Sequence, residues 1–319
     1  MNINSLEALC AIMSDSKGCR SKSDDSAYLA EYYDLQVKAD VTTLNAQGDA
    51  KVYLSALKRQ MESYYPLDHH GEHLVVLDVG TGTGRVLANL ATDAVRDSIP
   101  LSNVEFIGVD KEPSMIHRAL AVQRGTPSMS HIGRIDWLVG GVLHLLSAEL
   151  LENHINQVDL LLSASGGVSL LFRAGELVRF FAQAAALLRP RSGRFYLSVK
   201  KDLLSTKSTT KPMNENTTDT GSCERHEFPS ELHEGIIYRQ LPIECPVLDG
   251  IIKRTLYQLQ VIKRTDAGRE EIVEESHIEC VQRIWKESEL LECFKEAGLE
   301  CVGIIHATHE TYYVLKQTE

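Results

Sequence analysis

No stretch of this 319-residue chain stays apolar long enough to cross a bilayer. The longest runs, His73–Val79 and Asp159–Phe172, are broken well short of the ~18–20 residues a spanning helix needs. The opening Met1–Cys10 lacks the basic start and sustained apolar core of a secretory signal. The seven cysteines are scattered, odd in number and without a CxxC pair, which argues against a disulfide framework and suits a reducing compartment. Positive charge is in deficit: 33 Lys and Arg face 44 Asp and Glu, a net −11. Nucleic-acid affinity rests on clustered Lys and Arg, so no nucleic-acid partner is expected. No internal repeat is found. What remains is ordinary globular composition, 43% hydrophobic and 24% charged, enough for one large α/β domain with additions or for two modest domains. The expectation is a soluble, cytoplasmic protein without membrane association.

Up to about Pro66 the chain is polar with helical patches at Ser26–Tyr33 and Ala50–Tyr64; Leu54, Leu57 and Met61 recur at helical spacing on one face. The texture changes at His73. Leu74–Val79 is a β-branched run ending in a glycine-rich turn, and Val86–Ala91 reads as a helix. The cycle repeats: strand Val104–Asp110, helix Pro113–Val122, strand Ile135–Val139, helix or loop Val142–Leu151, strand Val158–Leu162, helix Gly175–Leu188 stopped by Pro190, strand Arg194–Val199. Strands buried on both faces and alternating with helices predict a doubly wound parallel sheet. Ser205–Cys223 is polar and reads as an exposed loop; its sequon at Asn216 carries no weight without a secretory signal. Gly235–Leu241, Ile251–Lys263 and Glu270–Val281 alternate as an added antiparallel sheet. Ser288–Ala297 is an amphipathic helix stopped by Gly298, and Cys301–His306 with Thr311–Lys316 closes the chain as two strands.

The most informative segment is Asp78-Val79-Gly80-Thr81-Gly82-Thr83-Gly84-Arg85. Glycines at alternate positions between a strand and a helix allow a tight turn and clear space for a ligand against the backbone. The spacing is not the G-x-G-x-x-G that seats a dinucleotide pyrophosphate, because Arg85 stands where its third glycine belongs. The acid Asp78 before the turn suits a ligand with a cationic group, so a NAD-type reading is disfavoured. Asp110 ends the second strand, where a carboxylate can accept both hydroxyls of a ribose.

On these residues the chain resembles the class I S-adenosylmethionine-dependent methyltransferases, in the branch acting on small molecules. Asp78–Gly84 is similar to the family's first motif, and Gly108-Val109-Asp110-Lys111 with Met115 to its second. Val139–Val142 lies where the third motif approaches adenine, and Ser163–Gly166 where the loop after the fourth strand borders the methyl donor. Ala30–Asp34 resembles the tyrosine motif of an N-terminal lid. The resemblance implies a mainly parallel, seven-stranded Rossmann-like sheet with an antiparallel last strand. It implies four regions: a helical lid (1–66), the core (67–201), an insertion with antiparallel strands serving as substrate cover or dimer contact (202–284), and the last helix and closing hairpin (285–319). It implies S-adenosyl-L-methionine as cofactor, bound by Tyr33, Asp78, Gly80, Thr81, Gly82, Gly84, Arg85, Asp110, Lys111, Met115, Gly141, Val142 and Ser163. Two departures stand out. The usual acid of the third motif is replaced by Gly141, leaving adenine to backbone groups near Gly141 and Val142 and to Met115. The Asn-Pro-Pro-aromatic tetrad of base-amine and glutamine-amide methylation is absent.

The implied activity is N- or O-methylation of a small metabolite by direct displacement. The alternatives are a non-methylating catalyst or regulator on the same fold, and, further off, a peptide or protein methyltransferase. Positioning alone can contribute roughly 7–11 kcal/mol to such a reaction. Arg85 faces the donor carboxylate or is a solvated first-turn residue, and Tyr32 or Tyr33 closes over the sulfonium or merely packs. No general base stands out. Tyr33 and His144 are weak catalytic candidates, and His226, His233 and Glu231 lie in the insertion. His69, His70 and His73 read as a surface loop rather than a metal site. Cys293 and Cys301 occupy core-type positions, Lys200-Lys201 reads as a solvated pair, and Trp137 packs beside the third strand. A homodimer through the added sheet is compatible with the pattern.

Overall fold

A computed structural model describes residues 26, 28–43, 49–64, 73–147, 149–205, 225–242, 247–265 and 268–318. The polar stretch from Ser205, with the Asn216 sequon, falls beyond its first residue outside the described residues, as do Met1–Cys10, His69 and His70.

The parallel core follows the hydrophobic pattern closely. Strands β1 (Leu74–Val79), β2 (Val104–Asp110), β3 (Arg134–Val139), β4 (Val158–Ser163) and β5 (Arg194–Lys200) pair in parallel. Two antiparallel strands, β13 (Leu299–His306) and β14 (Glu310–Gln317), complete a seven-stranded sheet in the order β13-β14-β5-β4-β1-β2-β3. β1 and β4 are buried along their whole length, which explains why they read as continuous apolar runs rather than alternating ones.

Helices cover both faces. On one, α2 (Ala50–Tyr64) and α3 (Arg85–Arg96) pack Leu57, Met61, Leu87, Leu90 and Ala91 against Val76, Phe106, Leu160 and Tyr312. On the other, α6 (Glu176–Leu187) and α7 (Glu287–Glu296) set Phe180, Phe181 and Phe294 against Leu77, Leu161, Phe195 and Tyr313. Helix α4 (Pro113–Gly125) joins β2 to β3, and the short α5 (Glu149–Glu152) precedes β4. Val142–Ser147, expected as helix or loop, forms 3-10 turns broken at His144.

The insertion is a separate antiparallel sheet in the order β11-β10-β8-β7, from β7 (His226–Pro229), β8 (Ile236–Pro242), β10 (Ile252–Arg264) and β11 (Glu270–Arg283), with β9 (Val247–Asp249) beside β10. The first helix among the described residues, α1 (Leu29–Thr43), begins later and runs further than the helical patch Ser26–Tyr33 suggested. It packs Tyr32 and Leu35 into the insert's own core of Tyr238, Tyr257, Leu259 and Ile278. Glu31, almost fully buried on α1, accepts bonds from Tyr238 Oη (2.6 Å), Ser230 Oγ (2.8 Å) and the backbone N–H of Glu231 (2.7 Å) and Leu232 (2.9 Å). Burial pushes this carboxyl up, but the hydrogen bonds outweigh it and leave it below the ordinary glutamate value.

Trp137 of β3 lies over two glycines. A Cβ on Gly108 would stand 2.3 Å from its Cζ3, and one on Gly84 would stand 2.6 Å from its Cη2. The indole Nε1 donates to Gln123 Oε1 at 2.6 Å, so the ring cannot slide away without losing that bond. Gly108→Ala is therefore expected to cost about 1–3 kcal/mol through overpacking. Urea unfolding followed by tryptophan fluorescence should show the lower midpoint, and an unchanged midpoint would contradict this placement of the ring.

Candidate functional site

The turn after β1 is tied to the tip of β2. Gly80 N–H and Thr81 N–H both donate to Val109 O, at 2.8 and 2.9 Å, and Gly82 N–H donates to Asp110 Oδ2 at 2.9 Å. The second Asp110 oxygen accepts Glu112 N–H at 2.9 Å. The acid thus stands directly against the bend, and burial raises its pKa above the ordinary value. The loop after β3 joins the same point through Gly140 N–H to Asp110 O (2.8 Å), which brings Gly141 and Val142 beside the strand tips.

Gly82 has φ +56, a left-handed conformation that favours glycine, and no atom lies within 4 Å of where its Cβ would project. The Cβ positions of Gly80 and Gly141 are likewise clear of other atoms. Gly84 differs: its missing Cβ makes room for Trp137, a packing duty its place in the motif did not reveal.

Asp78 is 1% exposed. Its Oδ2 accepts Thr81 Oγ1 at 2.7 Å, which turns the buried Thr81 hydroxyl inward, whereas its Oδ1 is enclosed without a hydrogen-bond partner. Burial raises this carboxyl from 3.8 to about 7, against the lowering effects of Thr81 and Arg85. An orphaned acceptor beside an open glycine bend fits a ligand that brings its own cationic donor. The residues present thus fit a nucleoside carrying an ammonium-bearing tail.

Arg85 is paired and only partly exposed. Its Nη1 and Nη2 reach Asp49 Oδ1 and Oδ2 at 3.1 and 2.9 Å, and Nη2 donates to Ser165 Oγ at 3.2 Å. Ser165 and Gly166 both have left-handed backbones (φ +57 and +67), so the turn after buried Ser163 is sharply bent. Met115 is buried on α4, and the half-exposed Lys111 sits 3.3 Å from Glu112.

Of the two lid tyrosines, Tyr32 is fully buried and donates to Gln240 Oε1 at 2.7 Å, which commits it to the insert. Tyr33 is half-buried beside it, with ring centroids 5.6 Å apart. Asp34 of the same helix accepts from Thr83 Oγ1 of the glycine turn and pairs with Arg118 of α4 at 3.0 Å. His144 faces Arg179, 3.2 Å away; because guanidinium only donates, Nδ1 accepts. His233 packs on Tyr28 and lies 3.8 Å from Glu31, while His226 stacks beside Phe228 on β7. Burial raises the thiols of Cys293 and Cys301, which leaves them poor nucleophiles. Among the described residues no His, Cys and carboxylate cluster could hold a metal. None of their helices is long and apolar enough to cross a membrane.

Sequence reasoning missed Asp49, Tyr53, Glu310 and Tyr312. Tyr53 is fully buried with its hydroxyl unpartnered, its ring edge-on to Tyr312 at 5.8 Å. Tyr312 donates to Glu310 Oε2 at 2.7 Å. These groups come from α2 and β14, far from the glycine motif in sequence, and carry no motif of their own.

Two predictions follow from this geometry. Asp110→Ala and Gly82→Val should each lower affinity for S-adenosylhomocysteine at least a hundredfold while leaving the fold intact; calorimetry with circular dichroism checks both, and unchanged affinity in the pair would refute the site. The second concerns Asp78. Its raised pKa means the ionised form is disfavoured in the free protein, so its effect on folding stability is favourable at low pH and lost as pH rises through about 7. A cationic ligand selects the ionised form, so binding at pH 6 should release up to about one proton and binding at pH 8.5 almost none. Titrations in buffers of different ionisation enthalpy measure this, and Asp78→Asn should abolish the release.

Residues 70–227 match a family model described as a methyltransferase domain. The chain is 31% identical over 252 residues to the N-methyltransferase FrzE of a Cladobotryum species, covering 78% of this chain and 81% of that one. Among solved structures, it resembles an S-adenosylmethionine-dependent methyltransferase from Clostridium acetobutylicum ATCC 824 (TM-score 0.57, 14% identity, 90% of this chain and 100% of that one). It also resembles the sugar N-methyltransferase KedS8 from Streptoalloteichus sp ATCC 53650 (TM-score 0.54, 16% identity, 86% and 88% covered). The glycine bend with its two acids, the seven-stranded sheet and these likenesses agree: the chain belongs to the class I S-adenosylmethionine-dependent methyltransferases.

Proposed function

We propose that this enzyme methylates a nitrogen atom of a small metabolite. The observation that carries the methyl-donor site is the enclosed, unpartnered Oδ1 of Asp78 beside the open bend at Gly80 and Gly82. When bound, S-adenosylmethionine supplies an electrophilic methyl whose bonding electrons remain on sulfur as an acceptor lone pair takes the carbon. Asp78 holds the donor's ammonium, Asp110 accepts its ribose hydroxyls, and Gly80 and Gly82 let its chain lie against the backbone. Met115 and the backbone at Gly141 and Val142 would hold the adenine, Lys111 and Ser163 would line the same site, and Tyr33 of α1 would serve as the lid residue. Arg85 acts through Asp49 and Ser165, fixing the loop after β4.

Nitrogen is favoured over oxygen by two considerations. An amine has only to arrive unprotonated, whereas a hydroxyl gains from a base, and His144 is turned toward Arg179 instead. The 31% identical relative is itself named an N-methyltransferase. Among the described residues, α1 serves as the lid, whereas α2, expected with it in the first 66 residues, packs on the sheet and belongs with the core of 73–201 and 285–318; the strands of 225–283 serve as the substrate cover, in a protein suited to the reducing cytoplasm.

Methyl-labelled S-adenosylmethionine incubated with a pool of amino and hydroxy metabolites tests the reading. Labelled N-methyl products, each one methylene heavier than the parent, are the expected result. Donor binding without any transferred label would point to non-methylating chemistry, and label confined to O-methyl products would overturn the nitrogen assignment.

A further inference from the structure

The proposed donor site accounts for Asp78 and Asp110 but leaves unexplained a second polar cluster, the partly buried Glu310 with the fully buried Tyr53. β14 begins with Glu310, which faces Lys200 at the outgoing end of β5. Lys200 lies against the turn after β4: a Cβ on Gly166 would stand 2.9 Å from its Cγ. Glu310 is thus at the same edge of the sheet as the glycine bend, three strands away by the order β14-β5-β4-β1. At the usual strand spacing that is about 14 Å from β1, beyond the loop of Ser165 and on the side away from Asp110.

Several groups face this corner. From α2 come Tyr53, whose fully buried hydroxyl has no partner, and the Asp49 carboxylate at the helix start. From β14 come Glu310 and the Tyr312 hydroxyl bonded to it at 2.7 Å. Lys200 and Arg85 are within electrostatic reach of Glu310, and both terminal nitrogens of Arg85 are hydrogen-bonded to Asp49. Burial, aided by the Asp49 charge, raises the Glu310 carboxyl above its ordinary value despite both cations. A partly desolvated carboxylate beside an orphaned, fully buried phenol carries an uncompensated cost. A ligand that donates hydrogen bonds and brings positive charge relieves that cost, and an alcohol supplies only the hydrogen bond.

We propose that Glu310, with the Tyr53 hydroxyl, recognises the amino group of the methyl acceptor, so that the substrates are aliphatic amines rather than their hydroxy counterparts. This rests on the donor-site reading above and assigns the other half of the same cleft. Glu310 makes the charged contact with the incoming ammonium and accepts one of its protons, which leaves a neutral amine lone pair to take the methyl; Tyr53 completes the hydrogen bonding, Tyr312 fixes the carboxylate, and Asp49 holds Arg85.

The test uses full-length protein saturated with S-adenosylhomocysteine and matched probes: cyclohexylamine against cyclohexanol, and an amino sugar against its parent hexose. Binding is followed by saturation-transfer NMR. Wild type is expected to favour each amine at least tenfold. Glu310→Gln should bring that preference to within twofold, Glu310→Asp should retain part of it, and Tyr53→Phe should lower it a few-fold. Affinity for S-adenosylhomocysteine should change less than threefold in all three. Absence of amine preference in wild type, or equal preference in Glu310→Gln, overturns the assignment. If Glu310→Gln does not fold, undiminished preference in Tyr53→Phe and Glu310→Asp together overturns it. Wild type that fails to bind S-adenosylhomocysteine instead removes the donor-site reading, so the two failures are distinct.

Discussion

The structure turns on one contact, the Gly82 N–H donated to Asp110 Oδ2. It joins the bend after the first strand to the acid at the tip of the second, and it requires a left-handed glycine at that point. Around it the backbone bonds from Gly80 and Thr81 to Val109, and from Gly140 to Asp110, gather three loops at one edge of the sheet. The hydrophobic pattern that buries β1 on both faces places the bend there, and the hydrogen bonds fix its shape. Chemistry and folding therefore share the same few residues.

A second organising element is the acidic face of α1. Asp34 points to the glycine turn and Arg118, while Glu31 points to the insert turn at Ser230 and to Tyr238. Hydrogen bonds to a charged group each contribute on the order of 1.5–3 kcal/mol, so Glu31 anchors lid and insert firmly. The exposed pairs on the insert, such as Arg254 with Glu279, contribute little by comparison.

Much of this was legible in the sequence. β1 and β2 appear with their observed boundaries because continuous apolar runs bounded by Gly and Asp have few other solutions. β7 and β9 went unseen because they are short and largely exposed, and pairing with β8 and β10 rather than any pattern of their own holds them as strands. β6 (Leu204–Ser205) and β12 (Trp285–Lys286), a two-residue parallel pair, left no trace for the same reason. Asp78 and Asp110 could be named because they adjoin glycines whose spacing has meaning. Asp49, Tyr53 and Glu310 could not, because a helix before the first strand and the last strand of the chain converge on the site only in three dimensions. Tyr32 and Tyr33 looked equivalent as letters; burial of Tyr32 among the insert's aromatics separates them.

Glu31 and Asp34 of α1 stand three residues apart, within a single turn of the helix. That one turn ties the glycine bend, through Asp34, to the insert, through Glu31, so that moving either one strains the bonds of the other.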